Sequence, residues 1–310
     1  MGQLSKVDME REFEEDGLKI IPFVENCKKA ASYDITPTII AMSAKVGMLE
    51  NVYREPHYNK DKYYILVHPK DTVLIVSNEY LIVPPNIAGY VSSRVSKLVE
   101  GFGHISTTID PNWKGAALIA LSNPSNQPLK VYVGASKEGE GSQNQLATIT
   151  FHYLNTQCAI ADIDGAYRGM RLDLLEKIMY TNKRGFKAFW RNVFYSRRKK
   201  FTDYFMSVCK EKYGDIDDKE WLEILDEFSY LDFSKLKEDN TNKYSSKKAK
   251  INARDFIITE NILTRIVYFL QKKQDAIIKI FVIIILGLIA LGIIPQNFLE
   301  YVITLIIEYR

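Results

Sequence analysis

Residues Val91–Asn123 read VSSRVSKLVEGFGHISTTIDPNWKGAALIALSN, and the order of residue types in this stretch sets the expectation for the chain. It opens on a cluster of Ser92, Ser93, Arg94, Ser96 and Lys97, and turns through Gly101 and Gly103. It then reaches Ile109-Asp110-Pro111-Asn112-Trp113 and ends in an apolar strand closed by Ser122-Asn123. Hydroxyls beside cations suit an anionic ligand, because together they satisfy phosphate oxygens. An Asp-Pro turn with a ring, set between two apolar runs, reads as the tip of a β-hairpin. Such a tip holds a carboxylate and an aromatic face rigidly, a cradle for a sugar or a base.

Outward from this stretch, a second block opens the chain. Ser5 reads as the N-cap of a short acidic helix, with Asp8 three positions on and Gly17 closing it. The strand Leu18-Lys19-Ile20-Ile21-Pro22 follows, then Ala31-Ser32-Tyr33-Asp34-Ile35-Thr36-Pro37. The two blocks together resemble the dCTP deaminase branch of the dUTPase-like superfamily. That family carries an acidic first helix, an R-S-S-L-x-R block, an I-D-P-G-W/F-x-G turn, and an apolar strand with Glu and Asn near its end. The resemblance covers residues 3–154. It implies an antiparallel β domain, a nucleotide ligand, and a homotrimer that builds each site from neighbouring subunits.

Laid on without a gap, the family's first Arg falls on Ser92, its catalytic Ser on Ser93 and its closing Arg on Lys97. Its Asp falls on Asp110, its aromatic residue on Trp113, and its general-base Glu on Ala120. The resemblance then implies that Asp110 holds the deoxyribose 3′-hydroxyl and Trp113 packs on the sugar. Ser93 and Lys97 face base and phosphate, with Arg94 standing in for the Arg missing at position 92. Deamination needs a base to activate water and pass its proton to the leaving amine. The strand Ala116–Asn123 contains no acid, so no register slip restores one. Loss of general acid–base catalysis costs about 10²–10⁴-fold in rate. The expectation is therefore a nucleotide-binding protein of the dCTP/dUTP class without deaminase activity. The alternative is a working dCTP deaminase or dUTPase, with Asp110 and Ser93 as its catalytic pair. The dUTPase branch orients water with the Asp of its own I-D turn, but its Gly-rich closing arm is reduced here to Tyr167-Arg168-Gly169. Relatives that deplete nucleotides act in defence against phage, and the resemblance extends that role to this chain as an expectation.

The remaining β signals are short runs at 63–68, 71–78, 79–85, 88–93, 130–133 and 145–153, separated by turns and by the polar loop 135–144. Runs so spaced predict an antiparallel barrel or jelly roll rather than βαβ units. After residue 154 the period changes to that of helices. Residues 155–236 read as a helical region, with Phe186, Trp190, Val193, Phe201, Tyr204 and Val208 opposite a basic face that includes Arg197–Lys200. For its basic aromatic part, 183–208, packing on the β domain or on a trimer partner is the default, and a membrane-surface helix or an anion-binding face are the other readings. A linker at 237–252 precedes a helical pattern that resumes at Ala253. The fold class is thus α+β, with a mainly antiparallel domain, a helical region and a C-terminal membrane segment.

That segment, Ala276–Ile294, is uniformly apolar from Ile280 onward and long enough to span about 30 Å of hydrocarbon. Lys272, Lys273 and Lys279 lie on its N-terminal side, which places the globular part in the cytoplasm as a single-pass protein. The tail 297–309 carries Glu300, Thr304 and Glu308 as one polar stripe, and reads as an interfacial helix or an oligomer-lined second segment. A net charge of +3 in 310 residues, with no recognition motif, argues against nucleic acid. His57, His68, His104 and His152 have no ligand spacing, so no metal site is expected, and Mg²⁺ enters only as the companion of a nucleoside triphosphate. Cys27, Cys158 and Cys209 fit no paired pattern and suggest a reducing compartment, and no signal peptide is read at the N-terminus.

Overall fold

The computed structural model describes residues 2–15, 17–55, 62–134, 144–158, 171–181, 196–211 and 256–259. The expected linker 237–252, the membrane span 276–294, the tail 297–309 and residues 183–195 of the basic stretch lie outside the described residues. Among the described residues, no helix is long and apolar enough to cross a membrane.

Helix α1 (Lys6–Glu14) starts where the sequence predicts. The Ser5 hydroxyl accepts from the Asp8 amide and the Asp8 carboxylate accepts from the Ser5 amide, a reciprocal cap for two otherwise orphaned donors. Three sheets follow. The first is centred on β7 (Asp71–Ile82), which pairs with β1 (Lys19–Ile21), β3 (Pro37–Ser43) and β10 (Lys114–Asn123), while β4 (Met48–Leu49) extends β3 at the edge. The second runs β11 (Leu129–Val133), β6 (Lys62–Val67), β5 (Val52–Glu55) and β13 (Ile257–Thr259). The third runs β2 (Tyr33–Ile35), β12 (Ala147–Tyr153), β8 (Ile87–Ser93) and β9 (Ser106–Ile109). Every pairing is antiparallel except β13 on β5. Alternate residues of these strands, among them Ile39, Val73, Ile119, Val91 and Ile149, converge on one hydrophobic core.

Two local readings of the sequence are corrected. The runs 71–78 and 79–85 merge in one strand, β7, which ends at Ile82, because the polar triplet Ser77-Asn78-Glu79 between them is buried and hydrogen-bonded across strands. The Ser77 hydroxyl donates to the Glu79 carbonyl and accepts from the Ala117 amide, and the Asn78 amide group donates to Thr36 Oγ1 and the Pro37 carbonyl. The neighbouring strands slip register beside this triplet, between Ala116 and Leu118 and between Pro37 and Ala41, as bulges do. The Asp110–Trp113 turn, in turn, is not a hairpin tip. β9 before it pairs with β8, whereas β10 after it pairs with β7, so the turn carries the chain from one sheet to another.

The Ser/Arg/Lys cluster forms the end of β8 and a short helix α2 (Val95–Val99). Helix α3 (Leu172–Thr181) buries Leu172, Leu175 and Met179. Helix α4 (Ser196–Glu211) buries Phe201, Phe205, Met206 and Cys209, so this part of the basic aromatic stretch packs on the β domain, its default reading. The helical pattern read from Ala253 is interrupted, because Ile257–Thr259 is a strand. Phe256 stacks on Phe201 with ring centroids 4.8 Å apart, and this long-range contact overrides the local helical period.

Candidate functional site

The structure divides the residues that the sequence groups together. Ser93 ends β8, where its hydroxyl accepts from the Ile105 amide and donates to the Ile105 carbonyl. Arg94 caps α2 through its backbone, while its guanidinium donates to Gln145 Oε1 and lies 3.8 Å from an Asp34 carboxylate oxygen. The Lys97 side chain is buried and its ammonium sits 2.8 Å from Glu100. These three form one group at one end of the third sheet.

Asp110 stands at the other end of that sheet. The β8–β9 register pairs Gly89 with Ile109 and Ser92 with Ser106. Asp110 therefore falls level with Ala88, five residues from Ser93 along β8, or about 16 Å at 3.3 Å per residue. Its side chain is exposed, and its carbonyl accepts from the Trp113 amide at 3.2 Å. Asn112 adopts a positive φ of 63°, a left-handed conformation that asparagine tolerates and that closes the turn. Trp113 is 6% exposed and belongs to the core, with its indole N–H donating to the Gly115 carbonyl at 2.9 Å. Ala120 lies on the exposed face of β10, level with Leu74 of β7.

Around Arg94 the structure adds residues that were not singled out as site residues. Asp34 on β2 accepts from the Thr148 hydroxyl at 2.5 Å and lies 3.7 Å from Lys29. Gln145 points its amide toward Cys27 Sγ at 3.8 Å and the Asn26 carbonyl at 3.5 Å. Burial, together with the nearby Glu79 and Asp34 carboxylates, pushes the Cys27 thiol up to about 12, so it is no nucleophile at neutral pH. Glu79 is buried and pushed up to about 7 by that burial, against the hydrogen bonds from the Thr36 amide and hydroxyl that favour its charged form. Gln145 opens the run read as a strand over 145–153, whereas β12 itself starts at Ala147. Only its contact with Arg94, 51 residues away in the chain, marks it out.

The part of the chain that holds these residues is a mainly antiparallel β domain. Its residues 3–136 match the family model described as dCTP deaminase-like. Among curated relatives, the dCTP deaminase of Tolumonas auensis is 30% identical over 88 residues, covering 28% of this chain and 46% of the relative. The dCTP deaminase of Pyrococcus horikoshii is 28% identical over 116 residues, 37% of this chain and 68% of the relative. The chain thus spans about half the length of the first relative and about two thirds of the second. Among solved structures, the 2′-deoxycytidine 5′-triphosphate deaminase from Agrobacterium tumefaciens shares 13% identity over 49% of either chain, with a TM-score of 0.36. A dUTPase from phage phi11 of S. aureus shares 13% identity over 48% of this chain and 98% of its own, with a TM-score of 0.27.

Proposed function

We propose that this domain binds a pyrimidine deoxynucleotide of the dCTP/dUTP class without deaminating it, at sites shared between copies of a homotrimer. Ala120 carries the reading. The position that the family fills with a general base is a methyl group on the open face of β10, and the strand from Lys114 to Asn123 has no carboxylate. The anion-binding half remains, in Ser93, Arg94 and Lys97, and the sugar-binding acid remains in Asp110. Two short side chains about 16 Å apart on one sheet do not meet the same sugar and base. This separation supports a site in which Ser93, Arg94 and Lys97 come from one copy and Asp110 from the next. Trp113, buried in the core, shapes the turn rather than stacking on the ligand. The apolar segment 276–294 serves as a membrane anchor with the β domain in the cytoplasm, and its lysine-flanked start supports this orientation. Mg²⁺ takes part only as a companion of a bound triphosphate.

The exposure of Asp110 favours one second reading, a dUTP hydrolysis in which this carboxylate orients the attacking water. One pair of measurements separates the two. Thermal shifts are recorded with dCTP, dUTP and their ribonucleotide counterparts, and the same mixtures are analysed chromatographically for products. A true ligand at about 100 times its Kd adds about 2.7 kcal/mol of stability. Stabilisation by dCTP or dUTP with the nucleotide recovered intact supports binding alone. Robust conversion of dCTP to dUTP overturns the proposal, and release of pyrophosphate from dUTP establishes the second reading.

A further inference from the structure

Beyond residue 136, where the dCTP deaminase-like match ends, two separate pieces of chain return to the β domain at adjoining places. Helix α4 covers the outer edge of β4. The Leu49 amide donates to the Thr202 hydroxyl at 2.8 Å, and the Leu49 carbonyl accepts from Arg198 Nε at 2.9 Å, so side chains of α4 satisfy backbone groups at that edge. Strand β13 pairs with β5, three residues further along, with Ile257 opposite Val52 and Thr259 opposite Arg54. The two pieces also hold one another. Arg197 donates to the Ile257 carbonyl at 3.0 Å, and Phe256 stacks on Phe201 and on Tyr204, with centroids 4.8 and 6.0 Å apart.

At the centre of this docking is a fully desolvated ion pair. Arg198 Nη2 lies 2.6 Å from Glu50 Oε1, and both side chains are 2% exposed. A buried charge stripped of its partner is far more costly than a buried pair kept whole. The pair therefore holds α4 in place only while both members are present and seated.

We propose that α4 and β13 act as a two-point clasp that opens and closes as one unit on the edges of β4 and β5, with the Arg198–Glu50 pair as its latch. Opening frees the β4 and β5 edges, while β7 and β10 keep their own pairing. The clasp is a conformational device outside the nucleotide-binding face, and it stands whether or not that face binds a ligand.

The test is native-state hydrogen exchange on the full-length chain, read by mass spectrometry over peptides from α4, β13, β5 and β7–β10. Three variants are compared with wild type: Glu50→Gln, Arg198→Leu, and Ile258→Pro, which removes the backbone N–H at the centre of β13. Glu50→Gln keeps an acceptor for Arg198 and is expected to speed exchange in α4 and β13 together by about 10-fold, with β7–β10 unchanged. Arg198→Leu is expected to speed it by roughly 100-fold or more. Ile258→Pro is expected to loosen α4 although it touches only β13. If Arg198→Leu does not fold, the other two variants decide. The clasp is refuted if β13 loosens while α4 stays within twofold of wild type. It is equally refuted if α4 opens only with β7–β10.

Discussion

Replacing Trp113 distinguishes a ring that packs in the core from one that packs on a ligand, the role its place in the turn had suggested. The side chain is 6% exposed and its indole N–H is bonded to the Gly115 carbonyl. Trp113→Ala removes the ring from a closed core together with its hydrogen bond, at a cost of about 3–5 kcal/mol. At about 2–4 °C per kcal/mol for a domain of this size, the melting temperature should fall by about 6–20 °C. Trp113→Phe keeps most of the apolar volume and loses the hydrogen bond, worth about 1 kcal/mol, so its fall should be much smaller. Circular dichroism melts of both variants give these shifts. Nucleotide affinity, measured well below each melting point, should change little in the Phe variant. A Trp113→Ala protein that melts within 2 °C of wild type but loses nucleotide affinity tenfold would refute the core placement.

Gly103→Ala should destabilise by about 1–3 kcal/mol, because the added Cβ would lie 2.2 Å from the Ser122 hydroxyl oxygen; Gly103→Ala/Ser122→Ala should recover part of the loss in a urea titration. Stability should also depend on pH. Burial pushes Glu79 up to about 7, so it adds stability that is present below about pH 4.5 and lost as the pH rises to 7. Burial holds His68 down at about 4, an opposite effect that is present above about pH 6.5 and lost as the pH falls to 4. Glu79→Gln removes the first effect and leaves the second, so its urea midpoint should rise more steeply, or fall less, from pH 5 to pH 7 than that of wild type; equal slopes contradict the assignment. Deleting residues 276–310 should move the protein from the membrane to the soluble fraction on centrifugation of cell lysates, and a full-length chain already in the soluble fraction would remove the anchor.

Short-range features were legible in the sequence. The Ser5–Asp8 cap, the strands around Val91 and Ile149, and the apolar face of α4 follow from local spacing alone. What escaped depends on partners distant in the chain. Ser77-Asn78-Glu79 looked like a break because their partners, Thr36, Pro37 and Ala117, lie about 40 residues away. Arg198 looked like one more exposed cation in a basic run, yet its carboxylate partner is 148 residues upstream. The Asp110–Trp113 turn looked like a hairpin because apolar runs flank it on both sides. Only strand pairing shows that those runs belong to different sheets. The candidate site followed the same rule: its residue types were readable, but their separation along β8 and β9 was not.

That separation supplies the most direct test of the central claim, a nucleotide site completed by a second copy. Ser93→Ala and Asp110→Ala are expressed singly and then together from one cell, and dCTP binding by the purified assemblies is measured by equilibrium dialysis. Each variant alone should bind nothing. In the mixed assembly, a site needs an intact Ser93 from one copy and an intact Asp110 from its neighbour. With random mixing, half times half, about a quarter of the wild-type sites should return. A mixed assembly that binds no dCTP, beside a wild-type protein that does, would contradict the shared site.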